Sequence, residues 1–319
     1  MSAPLPVIVQ GLGPIGLRIA GAVLTEPALD IAGAVEIRPE LEGRPLAEVV
    51  DGAPAIPIRS SLAAARADAG RDGAILIHCT GSYLERVAPQ LEEALAEGLH
   101  VVSTCEELTY PQARHAEIAA TLDRLARAAE RTVVATGVNP GFLMDALPAS
   151  LASISHSIRA VSVRRVQDPS RRRIPFQEKV GMGLSLAEWE ERRAAGGFGH
   201  VGLVESAWLL AAALGWRLVD WRHEMVPCRA DGREPVTGTL ETLEGSTGDG
   251  RSIRLHFEAN AAVDEEYDEI VVDGTPPLTL RFEGGVFGDD ATAAAVLRAA
   301  RVIPNTRRGL VTVLDLPLR

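Results

Sequence analysis

Two periods of apolar residues alternate along the first 140 positions. Pro6–Gln10 is a short β-branched run, and from Pro14 to about Leu24 the apolar residues Ile15, Ile19 and Val23 recur on one helical face. A second apolar run, Ile31–Ile37, carries acidic Glu36 near its end. The pattern then repeats. Ala74–Cys79 reads as a buried strand, Tyr83–Glu97 as an amphipathic helix and His100–Thr104 as a strand. Gln112–Arg131 reads as a long helix and Thr132–Thr136 as the next strand. Strands separated by helices of this length predict an α/β fold whose doubly wound parallel sheet gathers ligands at the carboxyl ends of its strands.

After Pro140 the texture changes. Ser162–Val166, Ser252–Ala261, Glu269–Val272 and Leu278–Phe282 read as strands of an antiparallel or mixed sheet, whereas Asp168–Arg173 and Glu244–Arg251 gather Gly, Ser, Asp and Arg as loops do. A last helix spans Asp290–Ala300. The expected division is a parallel-sheet domain over 1–140, a second α+β domain over 141–300 and a segment over 301–319 that returns to the first domain. A chain of 319 residues exceeds the roughly 250–300 at which a single core stops growing, which supports two domains.

Composition narrows the class. Hydrophobic residues make up 46% and charged residues 24%, ordinary globular values, and the net charge of −11 disfavours nucleic acid and anionic membrane as partners. The apolar start lacks a basic leader and is broken by Gly11, Gly13, Pro14 and Gly16, unlike a signal peptide. No run of about 18 apolar residues is available to span a membrane. Cys79, Cys105 and Cys228 are too scattered for a disulfide framework or a zinc site, so a cytoplasmic, metal-free protein is expected.

The loop Gly11-Leu12-Gly13-Pro14-Ile15-Gly16 follows a strand and opens a helix, the context in which GxGxxG marks a Rossmann dinucleotide site. Gly11 permits the tight turn, Gly13 lets the backbone approach a pyrophosphate and Gly16 lets helix and strand pack closely. Glu36, about twenty positions on, is placed to accept bonds from the adenosine ribose and disfavours a 2′-phosphate, whereas Arg38 can clamp one. NAD(H) and NADP(H) both remain open. Thr80-Gly81-Ser82 and the turn Asn139-Pro140 fall at strand ends, where they would line the nicotinamide half of the site.

Glu106 and Glu107 follow the strand His100–Thr104. One of them is a candidate acid/base group, the other a helix cap or a solvated carboxylate. In the second domain, Phe142, Leu143, Asp145 and Leu147 fall at the expected domain junction, the leucines and Phe142 offering an apolar wall. Arg164 and Arg165 are candidates for a substrate carboxylate or, equally, for interface or surface ion pairs. His200 is a candidate either for substrate or for capping the helix Val201–Leu214.

With these segments in view, the chain resembles the native NAD(P)-dependent amine dehydrogenases and 2,4-diaminopentanoate dehydrogenases, within the dihydrodipicolinate-reductase-like dehydrogenases. The resemblance runs nearly end to end. It is carried by Gly11–Gly16, His78–Leu84, Ser103–Leu108 with Tyr110-Pro111, Gly137–Asp145 with Leu147-Pro148, Gln177–Gly181, Gly199–Ser206 and Ile303-Pro304-Asn305. It implies reversible oxidative deamination of a primary amine, or reductive amination of a small ketone or aldehyde with ammonia. It also implies a strand-end glutamate as acid/base, a substrate and dimerisation role for the second domain, and a homodimer. Glu106 is favoured over Glu107 as the first residue past the strand, nearer the nicotinamide. Two alternatives stay open on the same scaffold, a diamino-acid substrate and a dihydrodipicolinate-reductase-like reaction. The basic residues that the reductases and the homoserine-type dehydrogenases carry at the site are here replaced by Glu106. A non-enzymatic dinucleotide sensor would need neither glutamate.

Overall fold

The structure is a computed structural model that describes residues 3–70 and 74–317. In chain order the elements are β1 (Leu5–Gln10), α1 (Pro14–Val23), β2 (Leu29–Val35), β3 (Ile58–Arg59), α2 (Leu62–Ala69), β4 (Ile75–His78), α3 (Leu84–Ala96), β5 (His100–Ser103), α4 (Ala116–Ala128) and β6 (Thr132–Ala135). There follow α5 (Ala146–Ala152), β7 (His156–Gln167), α6 (Ile174–Lys179), α7 (Leu186–Ala195), α8 (Leu203–Ala213), β8 (Leu218–Arg229), β9 (Val236–Thr247), β10 (Ser252–Asn260), β11 (Tyr267–Thr275) and β12 (Leu278–Glu283). The chain closes with α9 (Gly288–Val302) and β13 (Gly309–Val311). Two compact units result: Met1–Gly141 with Gly288–Arg319, and Phe142–Phe287.

The first unit is built on a parallel seven-stranded sheet in the order β13-β6-β5-β4-β1-β2-β3. Strands covered on both faces need continuous apolar runs, which is why Ile75-Leu76-Ile77 and Val101-Val102 are fully buried. On one face Ile8, Leu76, Val101 and Val133 pack with Leu62 of α2, Leu84 and Leu91 of α3 and Leu122 of α4. Pro14 at the first turn of α1 supplies a preset helical φ where no N–H partner is lost.

Two expectations are corrected here. The last helix belongs to the first unit, not to a second domain ending at 300: α9 packs beside α1, and Arg18 pairs with Asp290. Its buried face is small and apolar, Ala293, Val296, Ala299 and Ala300, and its sequence carries no mark of which sheet it covers. The return strand β13 pairs in parallel with β6, and residues 318–319 of the return segment lie outside the described residues. The long helix expected from Gln112 starts at Ala116, because Pro111 and two short 3-10 turns occupy the preceding stretch.

The second unit is a mixed six-stranded sheet, β12-β11-β7-β10-β9-β8, in which only β7 and β10 run parallel. Helices α5 and α8 cover one of its faces. Val236–Thr247 is a strand, so the expected loop at Glu244 begins only after Thr247; exposed Glu244 faces away from buried Leu243 and Gly245. Asp168–Arg173 is partly ordered: Asp168 caps a 3-10 turn through the Ser170 N–H at 2.8 Å.

Candidate functional site

The chain leaves β1 toward β2 and β4 toward β5, so the winding of the sheet reverses between the carboxyl ends of β1 and β4. Open α/β sheets form their ligand crevice at such a reversal. The glycine loop lies there. Gly11 has φ +90°, and a Cβ on it would meet the Cys79 carbonyl oxygen at 2.8 Å. At Gly16 a Cβ would stand 1.8 Å from the Gly11 oxygen, so only glycine permits this helix to meet this turn. Gly13 faces open space, and the first turn of α1 has no side-chain cap. That combination leaves uncapped N–H groups and room for a pyrophosphate, which fits a dinucleotide.

Glu36 stands just past β2 and is buried. Its Oε2 accepts from the Leu12 N–H at 2.8 Å and from Arg38 Nη2 at 3.3 Å. Its Oε1 accepts from the Arg38 N–H at 3.2 Å and lies 3.3 Å from Arg38 Nε. Arg38 Nη2 also donates to the Leu12 carbonyl at 2.9 Å. Burial would raise the Glu36 carboxyl, but the bonds from Arg38 and Leu12 outweigh it and hold the group below its ordinary range. Glu36 and Arg38 therefore act as one clasp on the glycine loop. The sequence set them in opposition; the structure joins them.

The ends of β4 and β5 are tied together just as closely. The Ser82 carbonyl accepts from the Glu107 N–H at 3.3 Å and from Cys105 Sγ at 3.3 Å, so the residues on either side of Glu106 both hold the turn Thr80-Gly81-Ser82. Glu107 is buried, accepts from the Leu84 N–H at 2.7 Å and so caps α3. Arg114 Nη2 stands 3.3 Å from its Oε1 and His115 Nε2 stands 3.1 Å from its Oε2. Glu106 is half-buried. It is not the first residue past the strand, since β5 stops at Ser103 and Thr104 and Cys105 intervene. The distinction between the two glutamates rests instead on what Glu107 already holds. Arg114 and His115 escaped the sequence reading because a spacing of seven or eight residues across two turns carries no recognisable signal.

The remaining candidates separate. The Asn139-Pro140 peptide is cis, and the Val138 N–H donates to Thr292 of α9 at 3.2 Å. Phe142 is exposed, Leu147 is half-buried and Leu143 is buried. Asp145 is fully buried, capping α5 through the Ala146 N–H at 2.6 Å and accepting from the Ser206 hydroxyl at 2.7 Å. Arg164 and Arg165 alternate across β7, the first exposed and the second buried. Arg165 Nη2 donates to the Val286 carbonyl at 2.8 Å, and Nη1 lies 3.3 Å from buried Asp268 Oδ1, so its charge is matched inside the second unit. For Arg165 the structure shows the ion-pair alternative to carboxylate binding. His200 donates through its backbone N–H to Glu241, and its ring stacks on Phe257 with centroids 4.1 Å apart. The cap of α8 is Gly202, without a side-chain bond, so of the two roles open to His200 the helix cap is not the one the structure shows.

A family profile described as the 2,4-diaminopentanoate dehydrogenase C-terminal domain matches residues 142–319, more than half of the chain. The 2,4-diaminopentanoate dehydrogenase of Acetoanaerobium sticklandii is 26% identical over 330 aligned positions, covering 98% of this chain and 93% of the relative. Among solved structures, an amine dehydrogenase from Mycobacterium smegmatis shares the fold with a TM-score of 0.86 at 21% identity, covering 99% of this chain and 97% of that one. A dihydrodipicolinate reductase from Paenisporosarcina superposes with a TM-score of 0.56 at 13% identity, covering 98% of each chain. The chain belongs to the family defined by the 2,4-diaminopentanoate dehydrogenase C-terminal domain.

Proposed function

We propose that this chain is an NAD(P)-dependent amine dehydrogenase that interconverts a primary amine with a small ketone or aldehyde and ammonia. The observation that carries the proposal is the arrangement at the end of β5, where Glu107 is committed to Leu84, Arg114 and His115 while Glu106 is held between two residues bonded to Ser82. Glu106 is then the acid/base group. It takes a proton from the substrate ammonium, and it activates water when the imine is hydrolysed or balances the iminium charge in the reductive direction. A bound nicotinamide supplies the electron-pair acceptor or donor. Gly11, Gly13, Pro14, Ile15 and Gly16 would hold its pyrophosphate, Glu36 and Arg38 its adenosine end, and Thr80, Gly81, Ser82, Asn139 and Pro140 its nicotinamide end.

Because all four contacts on the Glu36 oxygens are internal, Arg38 must shift for a ribose to reach that carboxylate, whereas a 2′-phosphate can meet the exposed guanidinium directly. Acceptance of both cofactors follows. Within the second unit, Phe142, Leu143 and Leu147 remain the candidates for substrate contact, with Asp145, Arg165 and His200 as candidates beside them. A diamino acid is the second reading, favoured by the curated relative that matches along almost the whole chain. We also propose a homodimer, for which the sheet face bearing Ser162, Arg164 and Arg254, opposite α5 and α8, is available, and a cytoplasmic site, in keeping with three free cysteines. A coupled assay of short ketones and aldehydes with ammonia, beside simple amines and 2,4-diaminopentanoate with each cofactor, tests the proposal. Turnover of carboxylate-free amines is expected; turnover of the diamino acid alone selects the second reading, and no turnover rejects both.

A further inference from the structure

A histidine at the end of a fully buried parallel strand is an expensive residue, because Ile75-Leu76-Ile77 shows what the position ordinarily holds. His78 is 0% exposed, yet both ring nitrogens are partnered. Nδ1 lies 2.9 Å from Ser103 Oγ on β5, and Nε2 lies 2.8 Å from Gln90 Oε1 on α3 and 2.8 Å from Thr80 Oγ1. Thr80 donates to Gln90 Oε1 at 2.6 Å, and the Cys105 N–H donates to Ser103 Oγ at 3.0 Å.

With the Gln90 amide oxygen on this side, as it stands in the structure, the proton positions follow. Gln90 presents its amide oxygen to both Thr80 O–H and His78 Nε2–H, so Nδ1 carries the lone pair and accepts from Ser103 O–H. Ser103 Oγ in turn accepts from the peptide N–H of Cys105, the residue before Glu106. Burial keeps the ring neutral by pushing its pKa down to about 4, as this arrangement requires.

We propose that His78 is a positioning residue with two separable arms, Nδ1 fixing the peptide that presents Glu106 and Nε2 fixing the turn Thr80–Ser82 for cofactor. This rests on Glu106 being the acid/base group. Both arms converge on loops that Ser82 already links, so a single ring sets the spacing between cofactor turn and acid/base residue.

The two edges can be cut one at a time. In His78→Asn the shorter amide can still accept from Ser103 but loses Gln90 and Thr80; in His78→Gln the longer amide keeps the Gln90 side and loses Ser103. His78→Gln and Ser103→Ala are expected to lower kcat at least tenfold while the Kd for NADH and NADPH, read by fluorescence titration, stays within twofold. His78→Asn is expected to raise that Kd at least fivefold and to keep at least five times the kcat of His78→Gln. A merely structural histidine would move kcat, Kd and melting temperature together in both variants, and that result, or no change in either, would overturn the proposal. Wild-type enzyme inactive on the whole amine and carbonyl panel would instead overturn the functional reading on which it rests.

Discussion

The two units handle buried charge differently. In the first, carboxylates at strand ends grip backbone N–H groups: Glu36 holds Leu12 and Glu107 holds Leu84, each shaping a loop beside the crevice. In the second, the buried pair Arg165 and Asp268 answer one another across paired strands, Nη1 to Oδ1 at 3.3 Å. Burial pushes Arg165 down and Asp268 up despite their mutual attraction, so their pairing only partly offsets desolvation. The contrast lies in where the buried charge is spent, on loops beside the crevice in the first unit and on a cross-strand partner with the Val286 peptide in the second.

The largest stability effect should come from breaking the interior pair of the second unit. Arg165→Met leaves Asp268 buried and unmatched, at a cost of about 3–5 kcal/mol, and adding Asp268→Asn should recover part of it. Denaturant unfolding measures both; an Arg165→Met protein as stable as wild type would place that charge outside the interior. The first unit should reveal itself by acid. His78 and His100 are both pushed down to about 4 by burial. The unfolded chain therefore binds more protons between about pH 6.5 and 4, so their stabilisation is complete above that window and is lost as pH falls through it, about 3 kcal/mol for His78. Unfolding curves at pH 7.5 and 4.5 should differ less in the double variant His78→Asn/His100→Asn; an equal difference would assign acid sensitivity elsewhere. The smallest effect belongs to the clasp on the glycine loop. Arg38→Ala should lower the ratio of kcat/KM for NADP to that for NAD about tenfold, or about 1.4 kcal/mol, and an unchanged ratio would remove Arg38 from 2′-phosphate recognition.

The difference between the units also explains what was legible. Continuous apolar runs such as Ile75-Leu76-Ile77 and helices with one apolar face announce a parallel sheet from local pattern alone, and Gly11–Gly16 place the crevice on it. In the second unit the strands alternate around polar interior residues, so Val236–Thr247, with Thr239 and Glu241 facing inward, does not read as a strand, and β8 has no fully buried residue. Glu106 and Glu107 were visible as a pair because they follow a buried run. Their division of labour was not, since it depends on Leu84, Arg114 and His115, which only folding brings to Glu107. The choice for Arg165 between a substrate carboxylate and an ion pair stayed open for the same reason: its partner Asp268 lies across a strand pairing that no sequence interval encodes.

The central claim is that two adjacent glutamates do different work, Glu106 in proton transfer and Glu107 in holding the loop. Substituting each by Gln and measuring kcat in the ammonia-dependent direction, beside melting temperature and NADPH affinity, tests it most directly. Glu106→Gln should lose at least 100-fold in kcat with melting temperature and cofactor Kd unchanged, whereas Glu107→Gln should lower the melting temperature and cost less than tenfold in kcat. The reverse ranking, or less than a tenfold loss in both variants, would contradict the account.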